Sequence, residues 1–79
     1  MYYTKEELNR ARNAIIRAAR DNGVPEAEVR AEMIRAMNCG RNNPDPTVQE
    51  KWSSFQYTGA EPTAEEFIAW CIRLATNRN

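Results

Sequence analysis

The sequence predicts an all-α fold, a small four-helix domain, and three observations carry that prediction. Apolar residues recur at three- and four-residue spacing in four stretches, helix-start chemistry stands at the head of each, and no stretch alternates apolar with polar as a strand would. There is no internal repeat and no low-complexity tract. Seventy-nine residues make one domain near the lower limit for a core-stabilised fold, and such cores supply about 3–5 kcal/mol.

The first helix is expected over 5–22. Thr4 and Glu7 form a capping box, each side chain accepting from the other residue's backbone N–H. Leu8, Ala11, Ile15, Ala18 and Asn22 make one stripe, Arg10, Asn13, Arg17 and Arg20 the opposite face, and Gly23 supplies the left-handed residue that stops the helix. A second helix is expected over 25–39, with Pro25 in its first turn, Val29, Met33, Ala36 and Met37 as its buried stripe, and Gly40 as its end.

Asp45-Pro46 reads as an N-cap followed by proline at the first helical position, opening a third helix over 46–55 that carries Val48, Trp52 and Phe55 on one face. After a break containing Gly59, a second capping box at Thr63 and Glu66 opens a fourth helix over 64–76. Phe67, Ile68, Trp70, Cys71, Ile72, Leu74 and Ala75 cover more than half its circumference, so it is either central or meets a partner. Asn77-Arg78-Asn79 is expected to fray.

Composition narrows the function classes. Hydrophobic residues at 42% against 28% charged suit a folded domain. Eleven basic residues balance eleven acidic ones, so attraction to nucleic acid or to an anionic membrane has to be local. Nine of the eleven basic residues are Arg, which suits paired contacts to carboxylate or phosphate and equally a solvated helix face. No histidine occurs, which removes the commonest general base and the commonest zinc ligand.

No Gly-rich phosphate loop is present either. Glu65 and Glu66 are the remaining catalytic candidates, but helical neighbours point about 100° apart, and their first-turn place is explained by the helix dipole. The expectation is therefore no enzyme, no catalytic residue, no cofactor, no metal and no small-molecule substrate. Cys39 and Cys71 are read as reduced core thiols of a cytoplasmic protein, with no leader and no membrane segment.

Trp52, Phe55, Tyr57 and Trp70 are assigned to core packing in preference to a base-stacking platform, leaving Tyr2 and Tyr3 as exposed aromatics. An exposed Trp70 would mark a self-association face instead.

The turn Asn22-Gly23-Val24-Pro25 joins the first two helices in a helix-turn-helix-like pair. Ala19, Gly23, Val24 and Val29 meet its steric needs, and the same pattern fits any antiparallel helix pair. On a DNA reader the second helix presents Arg30 and Arg35 to phosphate or guanine, while Glu26, Glu28 and Glu32 repel the backbone. Alternatively Glu26 pairs with Arg30 and Glu32 with Arg35 along the helix. Arg17 and Arg20 on the first helix complete the candidate DNA-binding set.

The run Val29-Arg30-Ala31-Glu32-Met33-Ile34-Arg35-Ala36-Met37, then Phe55-Gln56-Tyr57-Thr58, then Glu61-Pro62-Thr63-Ala64-Glu65-Glu66-Phe67-Ile68-Ala69, resembles the C-terminal effector domain of the stage-zero sporulation response regulator of endospore-forming Firmicutes. The likeness covers roughly the last fifty residues. It implies a helical DNA-binding domain of a sporulation or related transcription regulator, with the helix from Glu26 to Cys39 in the major groove and Arg30 and Arg35 at the matching basic places. Glu28 and Ala31 stand where that family tends to carry Arg. The expected partner is duplex DNA; the alternative is a non-enzymatic module that binds a protein or itself through the fourth helix or the Arg face of the first.

Overall fold

In the computed structural model, which describes residues 2–76, four helices follow one another: α1 (Lys5–Asn22), α2 (Glu26–Arg41), α3 (Pro46–Trp52) and α4 (Ala64–Thr76). The expected fraying of 77–79 lies outside the described residues. α1 packs against both α4 and α2, α2 also touches α4, and α3 lies against α2.

The local punctuation acts as its chemistry dictates. Thr4 accepts from the Glu7 N–H at 3.0 Å and Glu7 accepts from the Thr4 N–H at 2.8 Å. Gly23, at φ 65°, closes α1 in the left-handed region, where an L side chain is strained; its N–H and that of Val24 donate to carbonyls of the last turn. Asp45 caps α3 through the Thr47 N–H at 2.9 Å. Thr63 and Glu66 form the second box, at 3.1 and 2.9 Å.

Three helix ends differ from expectation. Pro25 is the N-cap of α2, with an extended ψ of 151°, and the helix runs through Gly40 to Arg41. Gly40 is helical because it lets an aromatic ring approach: a Cβ there would stand 2.5 Å from Cζ2 of Trp52. α3 stops at Trp52, short of Phe55, because the Ser53 and Ser54 hydroxyls donate to the Glu50 and Lys51 carbonyls of its last turn.

The core has two joined parts. Tyr3, Ala11, Met37, Phe55, Ala69 and Trp70 form an aromatic one, flanked by half-buried Trp52, Tyr57 and Phe67. Trp52 lies 5.7 Å from Phe67, stacked, and 5.0 Å from Trp70 between ring centres. Ile15, Ala19, Val29 and Ala64 form an aliphatic part, and Ile34 and Ile68 touch both.

Several side chains correct the expectation. Tyr3 is buried, at 3% exposure, because it packs in the aromatic core and Arg73 covers its ring at 4.8 Å; Tyr2 alone of the pair is exposed. Ala36 is exposed, and Met33 and Ile34 are half-buried beside Val29 and Met37. Cys39 and Cys71 are exposed free thiols outside the core. Crowding around the Cys71 thiol nonetheless pushes its pKa up by desolvation. Trp70 is buried at 8%, and the exposed apolar part of α4 reduces to Leu74 with Cys71 and Ala75.

Candidate nucleic-acid interface

Positions 10, 13, 17 and 20 fall within about 80° of one another around a helix axis, opposite the arc of Ala11, Ile15 and Ala19. Because α4 and α2 bury the second arc, α1 presents the first to solvent, with Arg10, Arg17 and Arg20 all exposed. These three guanidinium groups, with Asn13, Asp21 and the half-buried Ile16 and Ile72, line an open concavity of about 650 Å³. Arg10 and Arg20 are about 15 Å apart along the axis, from the helical rise alone.

The ion pairs among the described residues are Arg30–Glu65, Arg35–Glu32 and Arg73–Glu7, so Arg10, Arg17 and Arg20 stand outside them. Arg30 is committed to α4: its guanidinium donates to Glu65 at 2.5 Å, and this bond holds the Glu65 carboxyl below the usual carboxylate range. The expected Glu26–Arg30 pair is thus replaced by a tertiary one thirty-five residues apart in sequence, which no local spacing announces. Arg35 pairs with Glu32 at 2.9 Å, as the helical spacing suggests, and both remain well exposed.

Of the four sequence-predicted DNA contacts, then, Arg17 and Arg20 share one surface, whereas Arg30 is engaged with Glu65 of α4 and Arg35 with Glu32 of α2, away from that concavity. Arg10 joins the first two. The outward face of α2 carries the exposed Glu28 and the exposed Glu32–Arg35 pair, while Arg30 is half-buried against α4 and Glu26 is exposed at the helix start.

The residues of the loop before α4 and of the aromatic core have structural tasks. Glu66, 7% exposed, accepts from the Thr58 N–H, the Thr63 N–H and the Thr63 hydroxyl at 2.9–3.1 Å, which ties the loop before α4 to that helix. Phe55, Phe67 and Ala69 pack in or against the aromatic core. Tyr57 Oη receives a hydrogen bond from Arg41 at 3.3 Å. Among the described residues no group of three or more His, Cys, Asp and Glu side chains is placed to hold a metal ion, and no helix is long and apolar enough to cross a membrane. No known protein family, curated protein or solved structure matches this chain.

Proposed function

We propose that this chain is a non-enzymatic, DNA-binding helical domain of transcription-regulator type that grips the duplex backbone through α1. The observation that carries the reading is the set of exposed guanidinium groups at Arg10, Arg17 and Arg20, which lie together on one side of α1 outside every ion pair of the described residues. Arg favours phosphate through paired, charge-assisted hydrogen bonds, and a cluster of such groups binds a polyanion although the whole chain is neutral. The likeness to a sporulation regulator's effector domain supports the same class.

The carboxylates of α2 shape how the duplex is held. Glu26, Glu28 and Glu32 repel phosphate, so α2 contributes little affinity, and contacts from α1 to the backbone carry little sequence information. The domain is accordingly a weakly selective binder. Fluorescence anisotropy of a labelled duplex at low salt tests the assignment. Arg17→Ala with Arg20→Ala should weaken binding at least tenfold, whereas Arg30→Ala should leave affinity within about twofold while lowering Tm. Equal losses from both variants would overturn the α1 assignment, and absence of duplex binding by the parent chain would overturn the reading itself.

A further inference from the structure

We infer that the chain pairs with a second copy of itself across the joined outer faces of α1 and α2. Next to the Arg-rimmed concavity lies a second, lined by Val24, Val29 and Met33 and by the carboxylates of Glu28 and Glu32, the latter exposed and shared with Arg35 of its own helix. Ala18 lines both, so the two surfaces are continuous, one predominantly basic, with three Arg against Asp21, and one acidic. Val24, Met33 and Ile16 are each half-buried, leaving apolar area beside both rims. A two-fold axis near Ala18 sets the Glu28 and Glu32 of each copy against Arg17 and Arg20 of the other, twice over, and covers the apolar strip between them.

Closed two-fold pairing needs one self-complementary patch, and adjoining halves of opposite sign provide it. Ala18 is small enough to let the two α1 helices approach closely. Opposite charges across the contact also select this register against others, since any parallel superposition brings Arg onto Arg or Glu onto Glu. This inference does not rest on DNA binding. It draws on the same Arg17 and Arg20, so pairing and duplex binding compete.

Sedimentation velocity on the full chain at low salt tests it, with circular dichroism to confirm that each variant folds; the four substituted positions are exposed. The parent chain should approach twice its 9.1 kDa mass with rising concentration and dissociate as salt is raised. Glu28→Arg with Glu32→Arg makes both halves basic, Arg17→Glu with Arg20→Glu makes both acidic, and each variant alone should be monomeric. An equimolar mixture of the two should recover the dimer.

A monomeric parent chain, undiminished dimer in either variant, or a mixture that stays monomeric would each overturn the inference. The variant with Glu28→Arg and Glu32→Arg retains Arg17 and Arg20, so it should still bind duplex. A parent chain that binds duplex but never dimerises therefore refutes the pairing alone.

Discussion

Glu66 holds more of this fold together than its solvent-averse position suggests. Its side-chain oxygens accept from two backbone N–H groups and a hydroxyl, so a buried polar group is satisfied and at the same time fixes the loop from Thr58 to Thr63. Glu66→Ala should cost about 2–3 kcal/mol from the lost cap and charge-assisted bonds and lower Tm by roughly 10 °C or more. Glu66→Gln, which keeps an acceptor, should lose distinctly less, as thermal melts by circular dichroism would register.

Gly40 offers a test in which two effects oppose each other. Inside a helix, Gly→Ala usually gains about 1 kcal/mol, but overpacking of a tight contact costs about 1–3 kcal/mol. The new methyl would press 2.5 Å from a Trp52 ring already held by Phe55, Phe67 and Trp70, so the clash should win and Gly40→Ala should melt earlier than the parent. A higher Tm would mean that Trp52 moves aside freely.

Among the elements, α1 and α4 are joined by a clamp at their Glu7 and Arg73 ends. Arg73 donates to Glu7 at 2.6 and 3.0 Å and to the Tyr2 carbonyl at 3.1 Å, while its guanidinium covers the Tyr3 ring. The Arg73 hydrogen bonds and then the Thr4 N–H pull the Glu7 pKa down from 4.5 to about 2. A carboxyl whose folded pKa is depressed contributes stability that is fully present above the unfolded value and is lost as pH falls through the folded one. The difference in Tm between the parent chain and Arg73→Ala should therefore hold from neutral pH down to about 4.5 and shrink towards pH 2. A difference that stays constant across that range would assign the Arg73 effect to its packing on Tyr3.

Elements written in local code are legible in the sequence. α1 and α4 lie within the expected limits because a capping box opens each and Gly23 closes the first, all within a few residues. The ends of α2 and α3 are not, because the feature that carries α2 through Gly40 is a ring from another helix, and sequence spacing is silent on such approaches. The same holds for the candidate site. The Arg face of α1 followed from periodicity, whereas the capture of Arg30 by Glu65 and the burial of Tyr3 under Arg73 join residues far apart in the chain.

For the molecule as a whole, the decisive property is where its balanced charges fall. Eleven positive and eleven negative side chains would cancel if mixed, but the ion pairs of the described residues join Arg30, Arg35 and Arg73 to Glu65, Glu32 and Glu7 and leave the α1 guanidinium groups near the exposed Glu28 of α2. Glu66, Phe55, Phe67 and Ala69 build the core and hold the loop that precedes α4, so they serve the scaffold.

The most direct test is a titration of duplex affinity against salt for the parent chain. Each phosphate neutralised contributes a slope of about −0.9 in log affinity against log salt, so three α1 guanidinium groups predict a slope near −2 to −3. Such a slope, falling towards zero in the chain carrying Arg10→Ala, Arg17→Ala and Arg20→Ala, is the predicted result. A slope unchanged by that triple substitution, or no duplex binding at low salt, would contradict it.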